Sequence, residues 1–109
     1  MEKINIKQGA FGFGYEFVGI PDEWVEEEAE VWFTAWKPGD PTEKICQKQC
    51  EFNGAKFWLM VEEGDFDSET EPGIYYYEVA RYEDGVILDP SFTGELEILE
   101  TAGAPGDEE

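Results

Sequence analysis

Apolar and polar residues alternate with a period of two through most of the chain, the pattern of half-buried β-strands. Ile4 and Ile6 alternate with Lys3, Asn5 and Lys7. Phe11, Phe13, Tyr15 and Phe17 then share one face, while Gly12, Gly14 and Glu16 take the other. This predicts two strands joined at Gln8-Gly9. From Ile20 to Ala29, Pro21 and Asp22 precede an acidic run around Trp24 and Val25, which predicts a loop or a single helical turn. Glu30 to Lys37 is β-branched and aromatic on both faces, as a strand covered from two sides would be. The stretch Pro38-Gly39-Asp40-Pro41-Thr42 closes it with turn residues.

Lys44 to Cys50 reads as a polar strand near a sheet edge. Asn53-Gly54 is a strong hairpin signal, because both residue types tolerate positive φ. It leads into Ala55 to Val61, with Phe57, Leu59 and Val61 facing in. An acidic loop, Glu63 to Gly73, precedes a long aromatic strand, Ile74 to Tyr82. Asp84-Gly85 turns the chain into Val86-Ile87-Leu88, Pro90 to Gly94 bends it, and Glu95 to Leu99 forms a last strand. Short strands separated by turn signals, with no substantial helix, predict an all-β fold: an antiparallel, immunoglobulin-like β-sandwich of about seven to eight short strands. Residues 1–101 form one domain on this reading, and residues 102–109, rich in Gly and acids, a disordered acidic tail.

Charge narrows the functions open to such a domain. The 109 residues carry 27 acidic side chains against 7 Lys and Arg and no histidine, a formal charge of -20. So anionic a chain is repelled by nucleic-acid phosphates and anionic headgroups, which argues against direct nucleic-acid or membrane binding. No segment approaches the roughly 20 apolar residues of a membrane span, and the first residues lack the basic start and apolar run of an export signal. With 41% hydrophobic and 16% aromatic residues, the chain nevertheless holds enough buriable surface to fold.

Chemistry-bearing motifs are few. Cys46 and Cys50 would lie about 13 Å apart on one face of a strand at about 3.3 Å per residue, beyond disulfide reach, so free thiols are expected. Two cysteines without histidine do not make a zinc site. Without histidine the usual general base near neutral pH is missing, and Ser68 and Ser91 sit outside any nucleophile-elbow pattern. Counting from Asp65, Thr70 and Tyr76 fall where a calcium-binding EF-hand loop needs Gly and Glu. The expectation is a protein that is not an enzyme and takes no metal or cofactor.

Two surface features remain. If Phe11, Phe13, Tyr15, Phe33, Phe57 and Tyr76 fill the core, Trp32, Trp36, Trp58, Tyr75 and Tyr77 fall on the alternate faces of their strands. Not all of them can be buried in a domain this small, which marks these five as a candidate interaction surface. The same residues could stack on sugars. Charge is also uneven: residues 1–54 hold 11 acids and 5 bases, whereas residues 55–109 hold 16 acids and 2 bases. The stretch carrying Glu62, Glu63, Asp65, Asp67, Glu69 and Glu71 either solubilises the domain or imitates a polyanion toward a basic host nuclease.

Several ordered features look familiar together. They are Ile4-x-Ile6-x-Gln8-Gly9, Val31-Trp32-Phe33-Thr34-Ala35, Gly73-Ile74-Tyr75-Tyr76-Tyr77-Glu78-Val79 with Asp84-Gly85, and the closing Gly94-Glu95-Leu96-Glu97-Ile98. This succession resembles the N-terminal domain of phage baseplate upper proteins, a small immunoglobulin-like structural module. The resemblance covers residues 3–100 and implies a non-enzymatic baseplate or tail assembly protein that packs against copies of itself or other virion proteins. It further implies residence in the bacterial host cytoplasm during assembly and then in the virion. The alternatives from other classes are a nucleic-acid-mimicking inhibitor of a host defence protein and a carbohydrate-binding module.

Overall fold

The structure, a computed structural model, describes residues 2–67 and 69–101. In chain order the elements are β1 (Ile4–Lys7), β2 (Phe13–Glu16), a short helix α1 (Asp22–Glu26), β3 (Glu30–Lys37), β4 (Asp40–Gln49), β5 (Glu51–Asn53), β6 (Lys56–Val61), β7 (Gly73–Glu83) and β8 (Val86–Leu99). The expected tail, residues 102–109, lies outside the described residues.

Eight strands form two sheets, one ordered β1-β8-β7-β3-β4 and the other β2-β6-β5. This is an immunoglobulin-like β-sandwich. If the strands are lettered A, B, C, C′, D, E, F and G along the chain, one sheet is B-E-D and the other C′-C-F-G. Strand A joins the G edge, where Ile4 to Lys7 pair with Leu96 to Leu99 in parallel. The expectation of a wholly antiparallel fold is corrected at that one pair. Sequence spacing does not reveal it, because the partners stand at opposite ends of the chain.

The core follows the period of two. On the large sheet Ile4, Ile6, Val31, Phe33, Ala35, Tyr75, Tyr77, Val79, Leu96 and Ile98 point inward; on the small sheet Phe57, Leu59 and Val61 meet them. At the centre Phe33 stacks on Tyr77 at 5.5 Å between ring centroids, and Phe17 lies 6.2 Å from Phe33 and 6.4 Å from Tyr77. In antibody domains a Trp on strand C packs against a disulfide joining B to F. Three rings occupy that position here, and Cys46 and Cys50 are free thiols. Two residues before Tyr77, the buried Tyr75 donates its hydroxyl to the carbonyl of Glu71 at 2.6 Å. That is the tyrosine corner of immunoglobulin-like folds, tying the acidic loop to the start of strand F.

Several local expectations shift. The β5–β6 turn sits on Gly54-Ala55, both at positive φ, because Asn53 is already paired with Lys56. β4 starts at Asp40, inside the expected turn, and is the edge strand of the large sheet as its polar composition suggests. Val86 to Leu88 and Glu95 to Leu99 belong to one strand, β8. Its pairing steps from Ala80↔Ser91 to Arg81↔Leu88, so two extra residues form a bulge where a bend is expected. Phe11, Phe13 and Tyr76 are exposed rather than core. Trp24 of α1 and Phe66 of the acidic loop are fully buried instead. The expected single helical turn is α1, pinned by Trp24, whose ring lies 5.6 Å from Phe92 with the Arg81 guanidinium 5.9 Å above it.

Candidate interaction surface

The five aromatic residues marked by the sequence separate into three places. Tyr75 and Tyr77 are inside, 5% and 0% exposed, so neither can contact a partner. Ile74-Tyr75-Tyr76-Tyr77 is apolar at both parities and alternation alone does not orient it. The tyrosine corner and Gly94 decide. A Cβ at Gly94 would stand 2.8 Å from the Tyr77 ring, so the missing side chain on β8 is what lets that ring lie flat across the neighbouring strand. Tyr77 also donates its hydroxyl to the carbonyl of Glu2, and burial pushes its phenol well above the usual range.

Trp32 and Trp36 lie on the outer face of the five-stranded sheet, half-buried, and among the described residues no other element is layered over that face. Trp36 is directly opposite Tyr76 on β7, their rings 6.3 Å apart. Trp32 meets Tyr82 on the diagonal at 6.0 Å and donates its indole N–H to Glu30 at 2.7 Å. Such cross-strand aromatic pairs hold rings in fixed orientations. A shallow depression of about 380 Å³ lies beside the first pair, lined by Lys3, Trp36, Tyr76, Thr93, Gly94 and Glu95. Tyr76 and Tyr82 belong to this face although the sequence did not single them out. Their register opposite β3 would have marked them.

Trp58 stands on the other side of the molecule. It projects from the small sheet, donates its indole N–H to the Asn53 carbonyl at 3.1 Å, and borders a depression of about 240 Å³ with Gly14, Glu51, Asn53 and Met60. The candidate surface is therefore two patches on opposite faces, and the large one combines Trp32, Trp36, Tyr76 and Tyr82.

Three of the six acids singled out after β6, Glu62, Asp65 and Asp67, are hydrogen-bonded through their carboxylates. Lys48 projects inward from edge strand β4 and donates to Asp65 at 2.6 Å, Glu62 at 2.8 Å and the Met60 carbonyl at 2.7 Å. Burial alone would lower this ammonium's pKa, but the hydrogen bonds to Asp65 and Glu62 outweigh it and leave the pKa raised. An inward lysine on an edge strand also discourages edge-to-edge pairing. Asp67 accepts from the backbone N–H of Glu69 at 2.9 Å, and Glu71 contributes the carbonyl of the tyrosine corner. Glu63 and Glu69 are exposed.

Burial raises the thiols of Cys46 and Cys50 to about 12, so both are protonated at neutral pH. Among the described residues no group of three His, Cys, Asp or Glu side chains is placed to hold a metal ion, and no helix is long and apolar enough to cross a membrane. Compared with protein-family models and with curated proteins, the chain matches none.

Proposed function

We propose that the chain is a non-enzymatic interaction module, of the baseplate or tail assembly kind, that docks through the outer face of its five-stranded sheet. The observation that carries this reading is the placement of Trp32 with Tyr82 and Trp36 with Tyr76 on a sheet face that no other described element covers. Large, rigid aromatic side chains supply most of the energy in protein interfaces, and an ordered sheet presents them at little entropic cost. Between them Gln47 and Glu78 add polar groups to the face, and the Gln47 amide is held there by its hydrogen bond to the buried Thr34 hydroxyl at 3.1 Å.

A photo-crosslinking residue placed at Gln47, on this face, and at Asn53, on the opposite one, tests the proposal in cells that make the full chain. A discrete crosslinked protein product from position 47 and none from position 53 is the expected result. No product from position 47, or equal yields from the two, would overturn it.

A further inference from the structure

The hydrogen-bonding register of the large sheet arranges its outward side chains in rows that run straight across four strands. One row is Lys44, Trp36, Tyr76 and Glu95, on β4, β3, β7 and β8 in turn. The next is Gln47, Thr34, Glu78 and Thr93, and the one after is Gln49, Trp32, Ala80 and Ser91. We propose that the partner of this face is a second copy of the chain, docked about a two-fold axis parallel to the strands and passing between β3 and β7. The inference rests on the reading of this face as an interaction surface and adds the partner's identity and register.

The argument is the symmetry of the rows. A two-fold axis along the strands reverses strand order, so β4 of one copy faces β8 of the other and β3 faces β7. In the first row Lys44 then meets Glu95 of the second copy and Trp36 meets Tyr76, each contact occurring twice. Among the described residues neither Lys44 nor Glu95 is held in an ion pair within the chain. The second row is set within each copy, where Gln47 donates to the buried Thr34 hydroxyl at 3.1 Å. In the third row Gln49 meets Ser91, while Ala80, 1% exposed, lies beneath its own sheet's rings and makes no contact with the second copy. The first row, which places unlike charge on charge and ring on ring, carries the register.

Charge distribution supports the same partner. The chain is at -20 overall, yet this face carries Lys3, Lys7 and Lys44 against Glu30, Glu78, Glu95 and Glu97, with Lys3 paired to Glu97 at 2.8 Å. A near-balanced face on so acidic a body is where two copies can approach with least repulsion. Four strands about 4.8 Å apart and eight residues long cover about 500 Å² per copy, about 1,000 Å² in total, at the lower limit for a specific interface. The dimer is accordingly weak and concentration-dependent. Because two anionic bodies repel over a Debye length, raising salt from about 0.01 M to about 0.15 M strengthens it, whereas docking to a basic partner would weaken.

Sedimentation equilibrium of the full chain, with Lys44→Glu and Glu95→Lys made separately, tests this. Circular dichroism and melting confirm that each variant folds, since both positions are exposed. The wild type is expected to dimerise. Each variant alone should dimerise about tenfold more weakly, because both copies of a rim contact become repulsive. An equimolar mixture should recover association as a heterodimer, in which both contacts are again attractive. Variants that weaken association but are not rescued by mixing would overturn the register. A wild type that stays monomeric while position 47 still crosslinks to a different protein would overturn the second copy as partner and leave the interaction surface standing. A monomer with no such crosslink would remove both.

Discussion

The two faces of the five-stranded sheet are built from the same kind of residue and have opposite fates. Inside, Phe33, Tyr75 and Tyr77 are closed over by the small sheet and by Phe17; outside, Trp32, Trp36, Tyr76 and Tyr82 are left half-covered or open to water. Aromatic content therefore says how much apolar surface a strand carries and not where it points. What separates the faces is the partner surface: Gly94 makes room for Tyr77, the Glu71 carbonyl receives Tyr75, and no described residue performs either service for Tyr76.

Substitution on each face breaks the comparison most directly. Tyr77→Ala opens a cavity between the sheets and should cost about 3–5 kcal/mol. Trp36→Ala should cost no more than about 1 kcal/mol, since little of its surroundings must repack. Urea unfolding of the two variants gives the contrast. Equal losses would mean that the outer face is as much a part of the fold as the inner one.

Alkaline titration comes next, and it reads mainly the groups buried between the sheets. Burial raises the thiols of Cys46 and Cys50 from 9.0 to about 12. It also raises Tyr15 from 10.0 to about 12 and shifts Tyr75 and Tyr77 in the same direction. All five are neutral when protonated, and folding favours the protonated form. Their contribution to stability is whole below about pH 9 and is lost as pH rises toward 12. Melting temperatures measured from pH 8 to pH 12 should fall steadily across that interval. A flat profile to pH 11 would contradict the burial of these groups.

Two glycines sharpen the contrast at a smaller scale. Gly94→Ala forces a methyl against the immobile Tyr77 ring and should cost about 1–3 kcal/mol. Gly14→Ala meets the Met60 sulfur at 2.7 Å on the outer face of the small sheet, where the exposed end of Met60 can swing away. It should cost clearly less than Gly94→Ala, and thermal denaturation of the pair checks the order. The smallest effect belongs to a turn outside both faces. Ala55 is held at φ 61°, so Ala55→Gly should stabilise the domain by about 0.5–1 kcal/mol, read as a higher urea midpoint.

Much of this architecture is legible in the chain itself. The alternation around Ile4, Val31, Phe57 and Leu96 locates the core strands, the Asp84-Gly85 turn falls where it is expected, and Lys44 to Cys50 declares an edge. The candidate surface is less so. Trp32 and Trp36 lie on the outer face as expected of a surface, but Tyr75 and Tyr77, expected beside them, point into the core. Three consecutive tyrosines carry no parity signal, and the groups that orient them lie on other elements. Trp24 and Phe66 escape detection for a related reason. They are buried from a five-residue helix and a loop, where no periodicity exists to announce burial.

The pairing of β1 with β8 joins the two ends of the domain. Ile4 and Leu96 are neighbours in the sheet but stand about as far apart in the chain as two residues of this domain can. During synthesis β1 leaves the ribosome before the strand it pairs with. Until the final strand leaves the ribosome, its two isoleucines have no sheet edge to join. Contacts of such long sequence separation slow folding, because the loop-closure entropy must be overcome before they form. The hairpin of β7 and β8, closed by a tight Asp84-Gly85 turn, is the local structure on which the rest can condense, and β1 then seals the edge.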